Sequence, residues 1–349
     1  TDAGRFPFAE LYTGICMLFS DWHARFRYLG LPSRWRKELI LRTYPVLFWP
    51  FPEYRKFVSR LKDARLMYYY GGTQLCWNWY DVNRAELLIT MRILRKHGVP
   101  VFFGPQQYGP LRSRQVDSLK GMFRMARAVR TRNAACRSLL GLPPEALLHD
   151  EIFSNTDLYP VRETRSRKDG CVLLNIRGNM FVDRDRLAAF LGFLKAVRRR
   201  TGAPFRFFSM SGASFCDDEE TCRRMKELEP SLDIGVLPRL RDEEEFFGIA
   251  REARGTISMS FHGCVLSLIG GCPPVPVTET DYYDHKYADF DRYTGRPGTP
   301  VLPLRVGDPE READRVVRYW EEYEVGKTAG ERRAAGERIR KWYAEVAGC

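Results

Sequence analysis

The sequence predicts an α/β protein of two Rossmann-like units facing across a cleft, followed by a C-terminal helical tail. Three observations carry this. Short apolar runs ending at glycine alternate with longer stretches of helical apolar spacing. The alternation occurs twice, on either side of a charged stretch, Glu163 to Gly170. Finally, Thr256 to Thr278 reads strand, tight corner, very short buried helix and strand, which suits the return of a parallel sheet. The expected division is 1–162, 163–310 and a tail over 311–349.

The elements follow in order. Residues 1–57 are rich in aromatics and arginines, and Ser33 to Lys37 with Phe48 to Pro52 suit either a packed helical region or a patch resting on a membrane surface. Arg65 to Tyr70 is a strand stopping at Gly71-Gly72. Val82 to His97 places Leu87, Leu88, Met91 and Leu94 on one helical side. Val99 to Phe103 is a strand closed by Gly104-Pro105, residues 113–126 form a helix, and Ala128 to Arg132 a short strand. Ser138 to Leu142 ends a helix at Gly141. The second unit opens on Cys171 to Ile176, the clearest strand. Helices over 184–200, 217–228 and 242–253 then alternate with strands Phe205 to Met210 and Asp233 to Val236. From Asp308-Pro309 onward the chain is helical and charged, with Val316, Tyr319, Trp320 and Tyr323 as its apolar stripe.

The 349 residues carry 56 basic and 44 acidic side chains, a net charge of +12 that favours anionic ligands or surfaces. No basic low-complexity tail or RNP-type aromatic signature accompanies it, so nucleic acid is not the expected partner. No apolar run approaches a bilayer span, and no signal peptide is visible. The nine cysteines form no CxxC pair, which fits buried, reduced thiols and a cytoplasmic protein. The chain starts at Thr1 rather than at an initiator Met, which leaves open whether residues precede it.

Ligands of open α/β sheets bind beyond the carboxyl ends of the strands, and candidate chemistry collects there. Arg177 follows the first strand of the second unit beside Gly178, and a guanidinium there suits capture of a carboxylate or phosphate. Ser209 and Ser211 end the next strand, and Ser260 and His262 end a third. Lys286 is placed in a loop past the following strand and suits a second anionic group. In the first unit Gly72, Gln74, Trp77, Gln106, Gln107 and Tyr108 lie on glycine-bearing loops after strands, where amides and rings suit a neutral polyhydroxyl ligand, a sugar. Neither a Walker loop nor a dinucleotide fingerprint is present. His285 with Asp281 and Asp284 lacks a recognised ligand spacing, and no metal or other cofactor is expected.

Five segments in sequence order resemble the polysaccharide pyruvyl transferase family. GGTQLCWN (Gly71 to Asn78) looks like its GSDQxWN-type loop, and GPQQYGP (Gly104 to Pro110) like its GQGIGP loop. VRTRNAACRSLLGL (Val129 to Leu142) and NTDLYP, with Asp157, follow. SFHGCVLSLIGGCPPVPVT is similar to the RxHxxxxAxxxGxPxx signature, with Lys286 matching a lysine beyond it. The resemblance implies a GT-B-like fold and transfer of the enolpyruvyl group of phosphoenolpyruvate to a sugar, as a ketal, with release of phosphate. It implies an acceptor side in the first unit and a donor side in the second, with His262 and Arg177 carrying the chemistry and Arg177, Ser260, Ser209, Ser211 and Lys286 holding the donor. The implied acceptor is a sugar of a polysaccharide or a lipid-linked glycan, reached by peripheral contact at the inner membrane face. One departure stands out: the family's arginine two residues before the histidine is Ser260 here, with Lys286 or Arg239 as replacement cations. A nucleotide-sugar glycosyltransferase of GT-B type and a non-catalytic glycan-binding protein remain open alternatives.

Overall fold

A computed structural model describes residues 52–70, 75–76, 80–156, 169–177, 184–210, 212–213, 216–238 and 243–348. The chain parts into two compact units, Thr1–Leu148 with Tyr343–Cys349, and His149–Trp342. The expected boundary at 162/163 lies outside the described residues, as do the N-terminal aromatic stretch and Gly72, Gln74, Trp77, Asp157, Ser211 and Arg239.

The first unit holds a parallel sheet of β1 (Met67–Tyr69), β2 (Val101–Gln106) and β3 (Ala128–Thr131), in that order. Helices α1 (Pro52–Lys62), α2 (Tyr80–Lys96), α3 (Ser113–Phe123) and α4 (Ala134–Leu140) accompany it. Their apolar residues, among them Leu87, Leu94 and Leu119, form one core with Phe103 of the sheet. Asn133 caps α4 by accepting from the Cys136 N–H at 3.0 Å. Gly141 ends the helix at φ +66°, a left-handed conformation that favours glycine.

The second unit is a six-stranded parallel sheet. Its strands are β4 (Val172–Asn175), β5 (Phe205–Phe207), β8 (Gly235–Val236), β9 (Gly255–Ser258), β10 (Pro274–Thr278) and β11 (Leu302–Pro303), and a small antiparallel pair, β6 (Gly212–Ala213) and β7 (Cys216–Asp217), lies between β5 and β8 in the chain. The helices are α5 (Arg184–Thr201), α6 (Asp218–Leu228), α7 (Glu243–Glu252), α8 (Phe261–Ile269), α9 (Asp281–Tyr287), α10 (Asp291–Thr294), α11 (Pro309–Glu321) and α12 (Val325–Ala347). β4 and β9 are buried along their whole length. Burial on both faces explains why β4 reads as a continuous apolar run.

The tail is two helices. Asp308 caps α11 by accepting from the Arg311 N–H, and Pro309 sits where no intrahelical N–H is needed. α11 lies on α5, with Trp320 fully buried, and Arg199 and Arg200 pair with Glu310 and Asp314 along the seam. Gly255 admits that indole: a Cβ there would stand 2.2 Å from Trp320. α12 ends in the first unit, where Tyr343 meets Tyr68 edge-on at 6.0 Å and Arg65 donates to the Ala347 carbonyl. Among the described residues, no helix is long and apolar enough to cross a membrane.

Candidate active site

The strand order of the second unit is β8-β5-β4-β9-β10-β11, so the sheet grows outward from β4 in one direction and then from β9 in the other. Such a reversal is a topological switch point, and ligands of these sheets sit beyond the carboxyl ends of the two strands that form it. Asn175 of β4 is in register with Ser258 of β9. Two residues further come Arg177 and Ser260, and His262 follows in the first turn of α8. Arg177 and His262 therefore leave neighbouring strands at the same end of the sheet. Ser209 follows β5, the neighbour of β4 on its other side.

A buried polar chain ties these ends together. Met210 N–H and Asn175 Nδ2 both donate to Asp218 Oδ2, at 2.8 and 2.9 Å. Ser258 Oγ donates to Asn175 Oδ1 at 3.3 Å and accepts from the Ser260 N–H at 3.0 Å. Asn175, Asp218 and Ser258 are fully enclosed, so these bonds form where no water competes for the groups.

The expected corner at Phe261-His262-Gly263 is the first turn of α8. Ser260 caps it, its hydroxyl accepting from the Gly263 N–H at 3.3 Å. That oxygen satisfies a backbone N–H at the helix start. A Cβ at Gly263 would stand 2.7 Å from Ser258 Oγ, so glycine lets α8 lie against the end of β9. Thr256 Oγ1 donates to Ser267 Oγ at 2.9 Å and fastens the far side of the helix.

His262 projects outward with its side chain 46% exposed, and its Nε2 lies 3.7 Å from Asp150 Oδ2. The Asp150 carboxyl is only 8% exposed. Its Oδ1 accepts from the Ile152 N–H at 3.3 Å and caps a 3₁₀ turn over Glu151–Asn155. Sequence reasoning missed Asp150; the capping pattern of Asp150 before Glu151 was visible, but its approach to His262 was not. Next to it His149 is buried, with Nε2–H directed at the Arg292 carbonyl and Nδ1 accepting from Arg338. Burial, helped by the Arg292 charge, pushes this imidazole down to about 3, so it stays neutral.

Lys286 was expected just past a strand, as a holder of a second anionic group or as a plain surface lysine. It is instead buried on α9, with its ammonium 5.5 Å from the Tyr282 ring, 5.6 Å from that of Phe261 and 5.9 Å from that of Tyr283. α9 is anchored to the switch point because the Tyr287 hydroxyl donates to the Met259 carbonyl at 3.0 Å. Burial raises the Tyr287 phenol well above its usual range, and the Arg177 guanidinium pulls the other way.

Of the first-unit candidate residues, Gln106, Gln107 and Tyr108 are described, and all three are buried. Tyr108 is fully enclosed, its ring edge-on to Phe123 at 5.0 Å and its hydroxyl donating to the Arg130 carbonyl at 3.1 Å. It offers no open face on which a sugar could stack. Gln106 and Gln107 are enclosed as well, the latter donating to the Gly109 carbonyl. Among the described residues no three His, Cys, Asp or Glu side chains gather as a metal-holding group, and His285 with Asp281 and Asp284 is no exception. Burial pushes the free thiols of Cys264 and Cys272 up to about 12, which leaves both inert at neutral pH.

The strand order and its reversal define the second unit as a Rossmann-type α/β unit. Residues 144–282 match the model of the polysaccharide pyruvyl transferase family. The matched span contains Asp150, Arg177, Ser209, Ser260 and His262 and stops short of Lys286. Among curated proteins, none matches this chain in sequence. In fold the chain is similar to UDP-GlcNAc 2-epimerase from Methanocaldococcus jannaschii, with a TM-score of 0.54, 13% identity, and 84% of this chain and 82% of that one covered. It is similar also to UDP-N-acetylglucosamine 2-epimerase from Rickettsia bellii, with a TM-score of 0.52, 14% identity, and 91% and 79% covered. The fold class is thus α/β, as the alternation predicts, and of the GT-B-like kind that the resemblance implies. At these identities the likeness concerns the fold alone.

Proposed function

We propose that the protein transfers the enolpyruvyl group of phosphoenolpyruvate to a sugar of a polysaccharide or lipid-linked glycan as a ketal, releasing phosphate. The observation that carries the reading is the placement of Arg177 and His262 on adjacent strand ends at the switch point, within the span that matches the family. Arg177 holds an anionic group of the donor, and its charge steadies the phosphate as it leaves. His262 gives a proton to the methylene carbon, which becomes the methyl group, and positive charge develops at the adjacent carbon. Two hydroxyls of the acceptor add there in turn as the bond to phosphate breaks. One hydroxyl proton returns to the imidazole and the other departs with phosphate, so the enzyme ends as it began. A basic chain, with net charge +12, favours the approach of so highly charged a donor. Contact with an anionic membrane surface through the N-terminal basic and aromatic stretch fits a lipid-linked acceptor and a site of action at the inner membrane face.

The test is incubation with phosphoenolpyruvate and a panel of glycan acceptors, reading released phosphate and the pyruvate ketal by mass spectrometry. Phosphate and ketal forming together is the expected result. Stabilisation by nucleotide sugars but not by phosphoenolpyruvate in a thermal-shift assay would overturn it in favour of a glycosyltransferase.

A further inference from the structure

The His262 ring has two nitrogens, and a proton-transfer role requires that one of them be assigned. The Nε2 side is turned to Asp150 Oδ2 at 3.7 Å. Both partners are held from behind. Asp150 is fixed by its own cap bond to Ile152 and by the preceding His149, which is locked between the Arg292 carbonyl and Arg338. His262 is fixed by the Ser260 cap and by the preceding Phe261, which is almost fully buried. One ring joins the two supports: Tyr293 meets His149 edge-on at 5.1 Å and Phe261 edge-on at 5.3 Å. Edge-to-face packing at these distances resists displacement of either neighbour. A carboxylate braced so close to an exposed imidazole matches the base-and-orienting-group arrangement of acid–base sites, where the separation shortens once ligand binds.

We infer that Asp150 is a positioning residue for His262. Its carboxylate keeps the imidazole proton on Nε2 and turns Nδ1 toward the reacting atoms. When Nδ1 is also protonated, the carboxylate stabilises the resulting cation, and Asp150 itself neither gains nor loses a proton in the cycle. The pairing rests on geometry, and its consequence for rate rests on the pyruvyl-transfer reading. Sequence gives the same residue a second task, the cap of the 3₁₀ turn, and the experiment must separate the two.

Asp150→Ser does so, since serine caps well but is too short to reach the ring. Long-range ¹H–¹⁵N spectra of labelled protein read the tautomer of His262 without any substrate. The wild-type neutral ring is expected to carry its proton almost wholly on Nε2, and in Asp150→Ser the Nδ1–H form is expected to rise to the share it has in a free imidazole. With substrates, kcat is expected to fall about 100-fold while KM for phosphoenolpyruvate stays within about threefold, the pattern of an interaction that matters in the transition state. Should Asp150→Ser fold poorly, Asp150→Asn keeps the size and the cap while removing the charge, and the same loss of kcat is expected. A tautomer ratio in Asp150→Ser equal to that of the wild type, or full kcat in a folded variant, overturns the inference. If the wild type moves no pyruvate, the functional reading fails and the spectra alone decide the pairing.

Discussion

Asn175 and Ser258 face each other in register across β4 and β9, joined by a hydrogen bond from Ser258 Oγ to Asn175 Oδ1. The same hydroxyl accepts from the Ser260 N–H, so one buried serine aligns the strand leading to Arg177 with the turn leading to His262. Ser258→Ala removes a donor from Asn175 and an acceptor from Ser260 in a site closed to water. The expected loss is about 1–3 kcal/mol of stability, read by denaturant unfolding. Ser258→Ala with unchanged stability would show that the buried chain is not holding the switch point together.

His262 stands outside the packed core, with nearly half of its side chain exposed. His262→Gln therefore should leave the thermal midpoint near that of the wild type, as exposed substitutions usually do. Pyruvate transfer should fall about 100-fold or more, the usual contribution of an acid–base group. A folded His262→Gln protein that makes ketal at the wild-type rate would falsify the role.

The elements themselves were legible. Both tests above use strand ends that the sequence places within a residue or two, because glycine and proline punctuate apolar runs whose burial on two faces makes them unmistakable. The helical tail was legible from Asp308-Pro309 and its apolar stripe. What joins distant segments was less so. Nothing local announces that Asp150 meets His262, or that a buried Asp218 reaches Asn175, since both contacts depend on strand order and loop path. Tyr108 misled for a related reason: a loop after a strand end is usually exposed, yet this one runs under α3 and buries the ring against Phe123. The surface alternative for Lys286 fails, because helix α9 buries it. Its long apolar stem and cationic head instead fit among aromatic rings.

In the proposed reaction Arg177 holds the donor through geometry that a lysine cannot reproduce. A guanidinium grips a carboxylate or phosphate with two parallel hydrogen bonds, whereas an ammonium acts as a point charge. Arg177→Lys should therefore raise KM for phosphoenolpyruvate about tenfold, with Arg177→Met worse, as the loss of a charge-assisted bond of about 1.5–3 kcal/mol implies. Steady-state kinetics at varied donor concentration provide the measurement. Equal KM values in wild type and Arg177→Met would remove this residue from the donor site.

The buried His149 makes a prediction that needs no substrate. Its folded value is about 3 against an ordinary 6.5, chiefly because burial opposes the charged ring, with the cations of Arg292 and Arg338 adding to this and Asp150 opposing it. Between those two values the unfolded chain binds a proton that the folded chain refuses. Stability therefore rises with pH across that window and falls as acid is added, by about 1.4 kcal/mol per pH unit. From pH 7 to pH 5 the loss from this group alone is about 2 kcal/mol. His149→Gln keeps a donor for the Arg292 carbonyl but does not titrate, so it should be less stable at pH 7 and lose less between pH 7 and pH 5. Unfolding curves of both proteins at the two pH values isolate the difference, because every other titrating group is common to them. If the two lose equal stability, the proton on His149 is not what acid acts upon, and the ring is not held neutral by its surroundings.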